Sequence, residues 1–137
     1  MIMPTKFTYA PSLDDIAEIA EAALAEIPPS FRAHVTGVAL RVDEFADDET
    51  LDALGMEDPF DLLGLYRGVD LGHKDAGAVA SDVDMIFLYR SPILDEWIAS
   101  EESLPDLVRQ VLVHEIGHHL GLSDEDMHRI EDAADDD

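Results

Sequence analysis

The run Val111-Leu112-Val113-His114-Glu115-Ile116-Gly117-His118 constrains this chain more than any other stretch. It lies between strong helix signals: Ser103 as N-cap, Pro105 early, Asp106 in the first turn and Gly121 at the end. Consecutive helical residues point about 100° apart, so three apolar residues in succession predict a helix covered by protein nearly all round. Yet the same helix carries His114, His118, His119 and Glu115. Ionisable groups are costly to bury unless they are paired or bound to a metal. The reason for their presence has to be chemical.

Residues four apart share a helix face, so the imidazoles of His114 and His118 can reach one tetrahedral ion. Glu115 is turned about 100° from His114, which places it beside such an ion rather than on it. There a carboxylate can take a proton from water at the metal and pass it to a leaving amine. The five-residue pattern alone is only suggestive, and its continuation, Gly117-His118-His119-Leu120-Gly121-Leu122-Ser123-Asp124, sharpens it. Gly121 can take the left-handed conformation that ends a helix and reverses the chain. That turn can bring Asp124 back under the histidines as a third ligand. Three protein ligands leave a fourth position open for water, the arrangement of a catalytic zinc site.

The other histidines divide by spacing. His119 points about 140° from His114 and so away from the ion. His34 and His73 have no partner at ligand spacing. His128 lies four residues past Asp124, on a short helix expected to start at Ser123, and three roles stay open for it: ligand, oxyanion donor or surface residue. Tyr66 and Tyr89 are further candidates for the oxyanion donor. Glu125, Asp126 and Glu131 read as a solvated face.

Around the motif the chain reads as one domain spanning residues 1–137, with an acidic, frayed tail over 132–137. Ser12 caps a helix whose apolar residues run from Leu13 to Ile27 and which stops at Pro28-Pro29. Strands are predicted over Val35 to Val42, Asp61 to Val69 and Asp84 to Arg90. The last contains Met85-Ile86-Phe87-Leu88-Tyr89, a continuous apolar run suited to a strand covered on both faces. The acidic stretch from Asp43 to Pro59 reads as loop with at most one helical turn, and Gly72 to Asp82 as a surface loop. Ser91-Pro92 fits the cap and first position of a short helix through Ile98.

Composition removes whole classes of function. No cysteine is present, which excludes disulfides, Cys-based zinc sites and thiol catalysis. Eight basic residues against 32 acidic ones give a net charge of -24, a surface that repels nucleic acid phosphates and anionic headgroups. Neither nucleic acid nor membrane is an expected partner. Met1 to Pro11 lacks the apolar core of an export signal and no apolar run reaches membrane-spanning length, so a cytoplasmic location is expected.

These residues resemble the minimal zincin-like family of small bacterial proteins, which are predicted zinc metallopeptidases. The resemblance covers Leu62 to His128 in three blocks: Leu62-Leu63-Gly64-Leu65-Tyr66-Arg67-Gly68-Val69, Ile86-Phe87-Leu88-Tyr89-Arg90-Ser91-Pro92-Ile93, and Val111 to His128. It implies an α+β fold, a small twisted β-sheet packed against a buried active-site helix. It also implies zinc held by His114, His118 and Asp124, Glu115 as the catalytic carboxylate, and a peptide or protein substrate. The motif is similar to that of metzincins as well, with Asp124 where many carry a third histidine, as in snapalysins. A metzincin would need a methionine-containing turn well beyond that ligand, and no room for one is expected after Asp124.

Two other classes compete with the peptidase reading. A metal-binding module without turnover would keep the same ligands. A nuclease built on an HxxxHxxG helix would lack Glu115 and would have to handle RNA, which the charge opposes.

Overall fold

The computed structural model of the chain describes residues 9–33, 37–68, 84–120 and 125. Its first helix begins where side-chain chemistry dictates. The Ser12 hydroxyl accepts the Asp15 N–H at 3.1 Å, and the Asp15 carboxylate accepts the Ser12 N–H at 2.9 Å. This reciprocal box satisfies two donors that a helix start would otherwise leave open. Helix α1 then runs Leu13–Glu26 and buries Ile16, Ala20 and Ala23. A short helix α2, Pro29–Arg32, follows the proline pair expected to stop α1.

Strand β1 is Ala39–Asp43, helix α3 is Asp48–Leu54, and a single 3-10 turn covers Pro59–Asp61. Strands β2, Gly64–Arg67, and β3, Met85–Tyr89, come next, then helices α4, Arg90–Ala99, and α5, Leu104–Leu120. The three strands form one sheet in the order β1-β3-β2, β1 parallel and β2 antiparallel to β3. The architecture is α+β, as expected.

Side chains alternate across a strand, and here both faces are covered. Ile86 and Leu88 are fully buried in the main core with Ile16, Ala20, Val108, Leu112 and Ile116. Phe87 and Tyr89 point the other way, into a second cluster with Ala46, Leu51 and Met56. The apolar run of β3 therefore has the explanation its composition predicts.

Helix α5 packs against both α1 and β2. It buries Leu104, Leu107, Val108, Val111, Leu112, Val113 and Ile116, while His114 and His118 are exposed. The expectation of cover holds for Val111, Leu112 and Val113 and fails at the next residue, His114, because sheet and α1 leave a strip of α5 open that also exposes Pro105 and Asp106. Arg109, on the first half of α5, pairs with Asp106 at 2.8 Å and reaches Glu26 of α1 at 3.7 Å.

Three local expectations need correction. The acidic stretch after Asp43 holds a two-turn helix, α3, rather than loop with a single turn at most. Asp47 caps it by accepting the Thr50 N–H at 2.7 Å, Asp48 and Glu49 sit at its positive end, and Gly55 ends it at φ 68°. The strand expected over Asp61 to Val69 shrinks to β2, since Asp58 accepts the Phe60 N–H at 3.0 Å and nucleates the 3-10 turn. Ser91 does not cap α4, which starts at Arg90. Its hydroxyl donates instead to the Glu44 carboxylate. The surface loop expected over 72–82 and the tail over 132–137 lie outside the described residues. Among the described residues, no helix is long and apolar enough to cross a membrane.

Glu44 joins three segments. Its carboxylate accepts from Ser91 and, at 3.0 Å, from Arg90, whose Nε donates to the Pro11 carbonyl at 2.6 Å. The hydrogen bond from Ser91 is the main reason its carboxyl lies below the ordinary range, with Arg90 adding to it against the opposing effect of burial.

Two stability measurements check this packing. Leu112→Ala, at a fully buried position, should cost about 2–5 kcal/mol in urea unfolding, whereas His114→Ala should change stability by no more than about 0.5 kcal/mol. Equal losses would mean that His114 is part of the core. Because the Glu44 carboxyl is depressed on folding, it stabilises above its unfolded value and loses that contribution as pH falls through the folded one. The stability gap between wild type and Glu44→Gln, under about 1 kcal/mol at pH 7 for so exposed a group, should therefore close on acidification. A gap that widens in acid would exclude this role.

Candidate metal centre

The last turns of α5 sort their side chains by face. Val113 and Ile116 turn into the core, and His114 and His118 occupy the open strip with Glu115 half-buried beside them. The two imidazoles are one helical turn apart, with ring centroids 4.1 Å apart and planes inclined at 58°. Candidate ligand atoms of His114, Glu115 and His118 all lie within 4.8 Å of one another. Ligand atoms at zinc distances of 2.0–2.2 Å sit about 3.4 Å apart in a tetrahedron, so side-chain rotation alone brings the imidazoles onto one ion. Two imidazole nitrogens and a carboxylate are donors that zinc accepts. The residues fit the metal that their spacing implies.

Glu115 has a particular setting. Burial pushes its carboxyl above the ordinary range, opposed by the neighbouring His118 and by a hydrogen bond accepted from the main-chain N–H of Tyr66. That donor belongs to the sheet edge. The Tyr89 N–H donates to the Leu63 carbonyl at 3.0 Å, so alternate residues Leu63, Leu65 and Arg67 exchange hydrogen bonds with β3. Gly64 and Tyr66 then turn their main-chain groups off the sheet edge, away from β3.

At Gly64 β2 comes close to α5. A Cβ built there would lie 2.7 Å from Val111 Cγ1 and 3.2 Å from the Phe87 carbonyl oxygen. Any side chain would force strand and helix apart. Neither Gly64 nor the Tyr66 main chain stood out in the sequence as part of a site. A glycine inside an apolar strand is the available signal, since it marks a bulge or a close backbone approach. The Tyr66 N–H leaves no letter at all.

The two described tyrosines face opposite ways. Tyr66 pairs with Ile86 and shares its face, packed against the main core with its phenol donating to Asp84 Oδ2 at 3.1 Å. Burial first, and then Asp84, raise its pKa well above the usual value. Tyr89 lies in the second cluster, on the sheet face away from α5. Burial pushes its phenol up to about 12, with Arg67 pulling down and Asp43 and Asp47 pushing up. Tyr89 is therefore removed from the candidates for an oxyanion donor, because strand alternation puts the sheet between it and the histidines. Asp124, His128, His34 and His73 lie outside the described residues, so the structure brings together His114, Glu115 and His118 of the expected set.

No curated protein matches this chain. A family model described as zincin-like metallopeptidase matches residues 35–134, a span that takes in the sheet, the histidine pair and the two candidate residues beyond it. With that match over most of its length and a His-Glu-x-x-His cluster open on one helix, the chain belongs to the zincin-like metallopeptidase family.

Proposed function

We propose that this protein hydrolyses peptide bonds at a zinc site formed by His114, His118 and Asp124. The observation that carries the reading is the division of labour on α5: two imidazoles side by side, with a carboxylate next to them that is tied to the sheet edge. A structural zinc would call for four closed ligands. Zinc, when bound, supplies a Lewis acid and lowers the pKa of water at its open position to about 7.

The chain's own residues do the rest. Glu115 takes a proton from the attacking water as the water oxygen bonds to the carbonyl carbon. It then delivers that proton to the amide nitrogen as the carbon–nitrogen bond breaks, so the two products carry all the atoms of peptide and water. An extended substrate lies beside the histidines at the β2 edge of the described sheet. Tyr66 is the described tyrosine on the sheet face that packs against α5, but its phenol donates to Asp84, so His128 is the candidate to stabilise negative charge on the carbonyl oxygen.

Metal content and turnover test the two halves separately. One zinc per chain is expected, and His118→Ala should lose it, since two remaining ligands rarely hold the ion. In competition titrations at fixed pH, Asp124→Ala should weaken zinc binding far more than His128→Ala, whose loss should cost about 10–100-fold if it only orients a ligand. The reverse order would make His128 the third ligand.

Glu115→Gln should keep its zinc while hydrolysis of a broad peptide set falls at least about a hundredfold. Full turnover in that variant would exclude Glu115 as the proton carrier. A wild type that binds zinc and cleaves nothing would favour a metal-binding module.

A further inference from the structure

We infer that the main-chain N–H of Tyr66 is the positioning donor that holds the Glu115 carboxylate beside the histidines, and that Gly64 sets the distance at which it does so. The inference rests on the peptidase reading for its purpose, but its geometry stands independently. Strand pairing turns the Tyr66 N–H off the sheet edge. A close approach between β2 and α5 is Gly64 on Val111. Two residues along a strand advance about 6.6 Å, and four residues along a helix about 6 Å. The contact that sets Gly64 on Val111 therefore repeats as Tyr66 beside Glu115, in agreement with the Tyr66 main chain's being among the groups that hold the Glu115 carboxyl down.

The pairing answers a difficulty in the site. Glu115 has a long side chain, and one of its oxygens comes within 4.8 Å of both imidazoles. Left to rotate, it can swing onto the ion and close the position that water needs. With one oxygen engaged by Tyr66, the side chain is anchored and the second oxygen stays available for the proton.

Gly64 matters because its neighbours cannot all yield. One is a Val111 methyl and the other is main-chain oxygen, so an added methyl group must lift β2 from α5 and carry the Tyr66 N–H with it. The side chain of residue 66 plays no part in this hydrogen bond.

Amide hydrogen exchange on the full chain, zinc-stripped with a chelator and followed by NMR, reads the pairing directly. In Glu115→Ala the Tyr66 amide should exchange at least about tenfold faster than in wild type, while Leu65 and Arg67, which donate to β3, keep their rates. Glu115→Gln should keep Tyr66 slow, because its amide oxygen still accepts. A Tyr66 rate indifferent to Glu115→Ala would overturn the inference, and so would a rise shared equally by Leu65 and Arg67.

The spacer role is tested by Gly64→Ala, alone and with Val111→Ala. The single variant should lower kcat at least about tenfold, more than it changes KM, at unchanged zinc affinity, and the second substitution should restore it. Loss of zinc binding in Gly64→Ala, or no rescue by Val111→Ala, would refute the role of Gly64. If wild type cleaves no peptide, the proposed function fails, while the exchange rates still decide the pairing.

Discussion

Everything at the site follows from how α5 is buried. Val108, Val111, Leu112, Val113 and Ile116 form a band that only a sheet on one side and a helix on another can cover. At about 25 cal/mol per Å² of apolar surface, that band is a major share of what holds a domain of this size together. The cover is incomplete at the last turns, and His114 and His118 emerge in the gap. The rigidity of the pair is borrowed from the core one residue away, where Val113 and Ile116 cannot shift without opening a cavity.

The second element of the site comes from the sheet. Because β2 is antiparallel to β3 and sits at an edge of the described sheet, every other residue turns its N–H and carbonyl outward. Edge groups of this kind are usually a liability, open to pairing with another chain. Here the Tyr66 donor is taken by a side chain from α5. The same packing contact, Gly64 on Val111, thus fixes both the depth of the core and the posture of Glu115.

The parts legible in the sequence were those with local causes. Helical spacing of His114 and His118, the Ser12 and Ser103 caps and the apolar run of β3 each depend on neighbours within a turn or two. Helix α3 was missed because the acidic residues around it resemble solvated loop until Asp47 and Gly55 are recognised as its ends. Tyr66 and Tyr89 were indistinguishable for a different reason. Which face Tyr66 takes depends on the pairing of β2 with β3, and a shift of one residue would put it on the face that Tyr89 occupies. The strand order and the meeting of Gly64 with Val111 are likewise matters of tertiary packing. A main-chain donor is the least legible of all, since every residue but proline carries one.

The nature of that donor bears on the chemistry. The described arginines are already engaged: Arg32 with the Ala25 carbonyl, Arg41 with Asp43, Arg67 over the Phe87 ring, Arg90 with Glu44 and Arg109 with Asp106. They join segments of the fold, and in a chain with a net charge of -24 they are scarce. A guanidinium placed on Glu115 would hold it in position, but it would also pull the carboxyl toward strong acidity and weaken it as a base. A peptide N–H is a neutral dipole. It orients the carboxylate and costs it less basicity than a full positive charge would, while burial acts in the opposite direction. A proton carrier has to be held still and remain willing to take a proton. A main-chain donor at a sheet edge meets both requirements with a group the fold already possesses.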